Sequence, residues 1–298
     1  NAGARIVDWQ TLIGKAGASP LSAEEIERSA RRQLPWASTR QAVRMLLHQM
    51  DGALERELRR IEEALRDGHE ALPLIDRLLS TASTGIALLT PPSLLLAGAP
   101  NTGKSTLLNT LLQEERAIVH RSPGTTRDLV RDTLAIDGMP FEIIDSAGIR
   151  ADTTEIETRA VNRALEQVGQ CDILIFLYDV RTGPEAALER LPELPTATRL
   201  IVAGEKVDLI GSAPSDPQLP REFQHGPHLF ISAREGTGID RLERVLLAPY
   251  REHLDTIENS GAVPFTEETV SALHSVRETL TEKGSRSALT ELRNLRGL

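Results

Sequence analysis

A chain of 298 residues exceeds the usual single core, so two or three domains are expected, and a hydrophobic content of 40% with only 3% aromatics leaves burial to Leu, Ile, Val and Ala. The formal charge of −9 argues against nonspecific nucleic-acid binding through a broad basic face, without excluding a local basic patch. A single cysteine, Cys171, forbids an internal disulfide or a Cys-based zinc site and suits a reducing, cytoplasmic setting.

The chain opens on Asn1 rather than Met, and Arg5-Ile6-Val7-Asp8-Trp9 reads as the middle of a helix. Residues 1–20 are therefore expected to be a remnant helix or linker of a processed chain or fragment. Residues 21–91 read as the first part of a helical domain. Ser22 is the expected N-cap of the first helix, with Glu25 at the third position of a capping box, and Pro35 should end it. The next helix should begin near Ser38 or Thr39. It carries Val43, Leu46, Leu47, Met50, Leu54, Leu58, Ile61 and Leu65 as one apolar stripe, with mixed Arg and Glu on a solvated face. A helix from Leu72 to Leu88 follows Gly68. Trp9 and Trp36 are expected to anchor helices. No apolar run is expected to reach the length of a membrane span, because Ile86–Ala97 is interrupted by Pro91-Pro92.

Residues 92–250 alternate between short apolar runs and helical patterns. Strands are expected at 93–97, 129–136, 140–145, 173–178, 199–203 and 228–232, with helices near 104–113, 155–168, 185–190 and 239–247. Asp137-Gly138 marks a hairpin, hence one antiparallel pair in an otherwise parallel sheet. Cys171 should pack at the entrance to a strand. Gly211–Pro227 reads as an exposed loop, and His225 and His228 at its end have no Cys or carboxylate partner nearby in sequence. After Pro264 helix returns, with Val270, Leu273, Val276 and Leu280 in register, then Leu289, Leu292 and Leu295. Residues 251–298 would complete the bundle begun by 21–91. The expected fold class is thus α/β, a P-loop domain with helices on both faces of its sheet, inserted into an all-α helical domain.

Chemistry concentrates in the α/β part. Gly98-Ala99-Pro100-Asn101-Thr102-Gly103-Lys104-Ser105 spells the phosphate loop G-x-x-x-x-G-K-[ST] between a strand and a helix. Backbone N–H groups from Asn101 through Thr106 would cradle phosphates, Lys104 would add charge, and the Ser105 hydroxyl would ligate Mg2+. Gly124-Thr125-Thr126-Arg127-Asp128 offers a threonine, Thr126, to the metal bound to the γ-phosphate. In Asp145-Ser146-Ala147-Gly148, Asp145 would hold Mg2+ through water and the Gly148 N–H would meet the γ-phosphate. Lys206-Val207-Asp208 places a carboxylate for the guanine Watson–Crick edge. Ser232-Ala233-Arg234 can give a backbone N–H to the guanine carbonyl. Each station is expected at the carboxyl end of a strand.

This ordered set is similar to that of the MnmE (TrmE) tRNA-modification GTPases, in which a GTPase domain interrupts a helical domain. The resemblance runs from about Leu21 to the final helix. Its particular marks are Gly98-Ala99-Pro100-Asn101, Glu115-Arg116-Ala117-Ile118-Val119 and Asp145-Ser146-Ala147-Gly148-Ile149-Arg150. It implies a GTP hydrolase using Mg2+ and K+, with Asn101 helping to hold the potassium ion and loop carbonyls around 117–123 completing its shell. It also implies transient homodimerisation through the GTPase domains and a partner protein in tRNA wobble-uridine modification. Ile149 stands where Ras-like enzymes have a water-orienting glutamine. Glu157, twelve residues beyond Asp145, aligns with the family's water-positioning glutamate, although its position also suits a helix-start carboxylate. The implied catalytic set is Lys104, Thr126, Gly148 and Glu157.

Two departures stand out. Glu205 precedes Lys206 where the family has Asn; an ionised carboxylate cannot donate to guanine, so affinity should fall, while Asp208 should preserve specificity better. The family's terminal Cys-x-Gly-Lys motif and amino-terminal folate-binding domain have no counterpart in the sequence. An alternative is therefore a nucleotide-gated interaction module with weak hydrolysis. The acidic balance argues against direct tRNA binding by this chain alone, and no membrane association is expected.

Overall fold

The computed structural model describes residues 19–114, 132–144, 171–184, 195–211, 226–259 and 261–298. The chain divides into two compact units, 1–89 together with 250–298, and 90–249.

The first unit is helical. Ser22 caps α1 (Ala23–Gln33) by accepting the Glu25 N–H at 3.2 Å, and Pro35 falls in the 3-10 turn Leu34–Trp36 that ends it. Thr39 caps α2 (Arg40–Met50). The stripe expected to run on to Leu65 is broken: Asp51 and Gly52 intervene before α3 (Ala53–Asp67), with Gly52 in the left-handed region at φ 77°. That break re-phases α2, so Ala42, Met45, Leu46 and Gln49 are among its buried residues while Leu47 is exposed. Trp36 is 65% exposed and anchors nothing by burial, contrary to expectation.

α4 (Leu72–Leu89) is apolar and long enough, by length and composition alone, to cross a membrane, which corrects the expectation that no segment would qualify. It packs as a core helix. Ile75, Leu78, Ala82 and Leu88 are buried, and Arg277 of α8 (Glu267–Lys283) bonds Asp76 through Nε at 2.6 Å. α7 (Arg251–Asn259) and α9 (Ser285–Arg296) complete the unit. The segments on either side of the α/β unit meet here. The Leu21 N–H donates to the Leu295 carbonyl at 3.0 Å, Arg44 bonds Glu258 at 2.8 Å, and the Gln49 side-chain amide donates to the Gly261 carbonyl.

One face of α3 departs from the solvated surface its Arg and Glu suggest. Glu55 and Glu62 are buried, and so is Arg296 of α9. Arg296 donates to Glu55 at 2.6 Å and to Glu62; Arg293 reaches Glu62 at 2.9 Å, and Arg59 reaches Glu55 at 2.8 Å. Glu55, Arg59, Glu62 and Arg296 line a cavity of about 430 Å³. Burial works to raise the Glu62 carboxyl, yet the hydrogen bond from Arg293, the charge of Arg296 and the hydrogen bond from Arg66 outweigh it, leaving the carboxyl below its ordinary 4.5.

The second unit is an α/β sheet in the order β2-β3-β1-β4-β5-β6. Its strands are β1 (Ser93–Gly98), β2 (Asp132–Ile136), β3 (Met139–Ile143), β4 (Ile173–Asp179), β5 (Arg199–Glu205) and β6 (His228–Ile231). β2 and β3 pair antiparallel across the expected Asp137-Gly138 turn, and every other neighbour pair is parallel. Such strands are covered on both sides, and β4 accordingly is buried at every position from Ile173 to Asp179. α5 (Lys104–Glu114) follows β1, and α6 (Ile239–Leu247) follows β6.

Cys171 lies at the start of β4, 6% exposed, and burial with the Asp172 charge pushes its thiol up to about 11. At pH 8 only about one thiol in a thousand would be ionised. Its reaction with a maleimide is expected to run at least about 100-fold slower than that of glutathione until urea unfolds the sheet, a contrast that labelling time courses read directly. The expected helices near 155–168 and 185–190, and nearly all of the Gly211–Pro227 loop with His225, lie outside the described residues.

Candidate nucleotide-binding site

The phosphate loop is built by strand burial followed by a forced turn. Leu94–Ala97 are buried between neighbours, and Gly98 leaves β1 at φ 146°. A Cβ at Gly98 would collide with the Leu177 carbonyl oxygen of β4, so only glycine lets β1 turn here. Buried Thr102 donates through Oγ1 to the Ala99 carbonyl at 2.8 Å, closing the loop. The Leu107 N–H then bonds the Gly103 carbonyl at 2.8 Å, beginning α5, while Leu107, Leu108 and Leu111 anchor that helix in the core.

Lys104 opens α5, and its Nζ donates to the loop carbonyls of Gly98 at 3.1 Å and Ala99 at 2.8 Å. Ser105 and Thr106 follow in the first turn, half-buried and exposed respectively. The ammonium group and the first-turn amides thus sit together at a helix N-terminus, whose dipole favours an anion.

Three strand ends converge on this loop. Lys206, in the left-handed region at φ 71°, follows β5 and donates to the Asn101 carbonyl and, at 3.0 Å, to Asp179 at the end of β4. Asp208 sits half-buried on the succeeding 3-10 turn, Val207–Leu209. Beyond β6, Ser232 and Ala233 are buried and Arg234 is exposed. The Ala233 carbonyl accepts from Thr110 of α5 at 2.8 Å, tying the turn to the loop's helix. Asn101, Thr102, Gly103, Lys104, Lys206, Ser232 and Ala233 are therefore linked around the carboxyl end of the sheet. Thr126, Asp145, Gly148 and Glu157 lie outside the described residues.

Two acidic groups complete the picture. Asp179 is held well below the usual carboxylate range, first by the Arg181 side chain, against a smaller opposing effect of burial, and then by the Arg181 N–H and Lys206. Sequence reasoning ended that strand one residue early and missed Asp179; a lone carboxylate closing the apolar run Ile173–Tyr178 was the available signal. Glu205, 3% exposed, accepts the Ala233 N–H at 2.9 Å through Oε1. Burial raises its carboxyl, a trend that this N–H and Lys206 oppose. His228, at the start of β6, meets the Tyr178 hydroxyl through Nε2 at 2.8 Å and stacks on its ring. Among the described residues no three metal-ligating side chains cluster.

Comparison with known proteins places this geometry. A family model described as a 50S ribosome-binding GTPase matches residues 93–206. The tRNA modification GTPase MnmE of Cytophaga hutchinsonii is 39% identical over 182 residues, covering 60% of this chain and 38% of that protein. MnmE of Azoarcus sp. strain BH72 is 34% identical over 240 residues, covering 71% of this chain and 52% of that protein. The chain thus spans about half, or less, of the length of these relatives. A solved structure of a variant of Aquifex aeolicus Era is 25% identical over 53% of this chain and 56% of its own, at a TM-score of 0.37. The stretch aligned with the Azoarcus protein, 71% of this chain, is longer than the α/β unit alone, and over that length the chain is similar to the MnmE GTPases.

Proposed function

We propose that this chain binds guanine nucleotides at the loop 98–105 and hydrolyses GTP to GDP and phosphate. The convergence of Lys104, Lys206 and Ala233 on one end of the sheet carries this reading, because a phosphate-binding loop and a base-reading edge must stand a nucleotide's length apart on one rigid frame. Lys104 would withdraw from the Gly98 and Ala99 carbonyls to meet phosphate oxygens, and Asp208 would accept the N–H groups of the guanine edge. In hydrolysis a water oxygen bonds to the γ-phosphorus as the bridging bond to GDP breaks. Glu157 is the candidate to orient that water, with the Gly148 N–H at the γ-phosphate.

Ser105 offers a half-buried hydroxyl oxygen in the first turn of α5, a donor suited to a hard cation. It would hold Mg2+ together with Thr126 and Asp145, and exposed Asn101 would help hold K+. Both cations would neutralise charge on the phosphates. Beyond this site we infer a cytoplasmic protein whose nucleotide state biases the helical unit, with transient pairing of GTPase domains and a partner in tRNA modification. Phosphate release should be several-fold faster in potassium than in sodium at equal ionic strength. Equal and negligible release, with nucleotide still bound, would instead favour a nucleotide-gated interaction module, the reading that Glu205 at the base edge supports.

A further inference from the structure

The residue that departs from the family pattern is also the one whose contacts at the base edge are most consequential. Glu205 closes β5, and its register partner across the parallel pair is Ile231, two residues before Ala233. Its side chain spans the space between the phosphate loop and the turn after β6. Oε1 takes the Ala233 N–H at 2.9 Å. A Cβ built at Gly103 would lie 2.8 Å from the Glu205 Cδ and 2.9 Å from Oε2, so the carboxylate rests directly against the loop in room that only glycine leaves. The turn it grips is itself fixed, since the Ala233 carbonyl is bound by Thr110 and the Ser232 N–H by the Thr237 carbonyl at 2.9 Å. The Ala233 N–H is therefore held in place and already has an acceptor.

Purines differ at this edge. Guanine presents a carbonyl acceptor at ring position 6 and N–H donors at positions 1 and 2, whereas adenine presents an amino donor at position 6 and an acceptor at position 1. An ionised carboxylate only accepts. Guanine must displace Glu205 from Ala233 to gain its hydrogen bond, and its carbonyl then faces a carboxylate oxygen. Adenine makes no claim on that N–H, and its amino group faces an acceptor.

We propose that Glu205 is a specificity-determining residue of the nucleotide site, one that narrows the preference for guanine over adenine by holding the Ala233 N–H as an internal acceptor. This inference rests on reading the site as a guanine-nucleotide pocket. It differs from simple loss of a donor at position 205, because removing the side chain altogether should strengthen guanine binding. A site that reads guanine by hydrogen bonds normally rejects the wrong base steeply, since the wrong base leaves buried groups unpaired; an internal partner for one such group removes that penalty.

The test is titration calorimetry with GDP and ADP, in Mg2+, on the full chain and on Glu205→Ala and Glu205→Asn, each checked first by thermal melting. Glu205→Ala is expected to raise GDP affinity by about tenfold, the scale of one released hydrogen bond, and to leave ADP affinity within about twofold. Glu205→Asn should raise GDP affinity at least as much, since its amide also donates, and it gives the same comparison if the alanine variant fails to fold. A structural prop would instead lower both affinities together. A GDP-to-ADP ratio unchanged in the variants overturns the role of Glu205 alone. Absence of binding by parent and variants at millimolar nucleotide overturns the pocket and this proposal with it.

Discussion

Lys104→Ala is expected to weaken GDP and GTP binding by roughly 10- to 150-fold, the range set by losing one or more charge-assisted hydrogen bonds to phosphate. The fold should survive the change. Nζ bonds the carbonyls of Gly98 and Ala99, and Thr102 independently closes the same loop through Ala99. Equilibrium binding of a fluorescent GDP, beside a melting curve for the same variant, separates the two effects. A variant that melts like the parent and binds like the parent would remove the phosphate role of the loop. GTP should suffer more than GDP, because the ammonium group serves the β- and γ-phosphates together.

Arg296→Ala should be the most destabilising single change in the helical unit. It leaves Glu55 and Glu62 buried on α3 without the guanidinium that bonds both of them. Breaking a buried ion pair from one side costs about 3–5 kcal/mol, and the adjoining cavity, which lets water reach the abandoned carboxylates, argues for about 3. Urea unfolding followed by far-ultraviolet circular dichroism reads the loss, with the helical and α/β transitions fitted separately. Combining Arg296→Ala with Glu55→Gln and Glu62→Gln should return most of the stability, since neutral amides no longer require a cation. An equal loss with and without those glutamines would mean that Arg296 acts by packing alone.

The same cluster fixes a pH dependence. Glu62 titrates in the folded chain below its ordinary 4.5, so its contribution is complete above that pH and declines as pH falls through the lower folded value. Arg296→Ala should flatten this acid limb of the stability profile. At neutral pH and above, the two chains should differ by a constant amount.

Much of the architecture could be read from residue order because local signals agreed with tertiary demands. Ser22, Pro35 and Thr39 are backbone devices whose effect is decided within a few residues, and each acts where it was expected. The strands among the described residues follow from apolar runs punctuated by Gly and Pro, and the Asp137-Gly138 turn supplies the antiparallel pair of β2 with β3. The break at Asp51-Gly52 was hidden by three- and four-residue spacing that continues across it, since a change of phase costs the pattern nothing. Glu55 and Glu62 looked solvated because their partners lie more than 230 residues away, at Arg293 and Arg296. The phosphate loop was legible from its own spelling. The Glu205–Ala233 contact was not, because it depends on the register between β5 and β6, which no local pattern encodes.

The bond between Leu21 and Leu295 has a temporal meaning as well as a spatial one. The helices up to Leu89 are made before the sheet, yet Arg44, Gln49, Asp76 and Glu62 each bond a residue after 250. The nascent segment before residue 90 must wait, with its apolar faces uncovered, while the ribosome makes the whole intervening sheet. At about 5–20 residues per second, that interval is roughly ten to forty seconds. The α/β unit, whose pairings all fall within residues 90–249, is free to fold first. The helical unit can therefore close only after the sheet has been made, and its apolar faces stay open to proteases and chaperones until the residues after 250 have emerged.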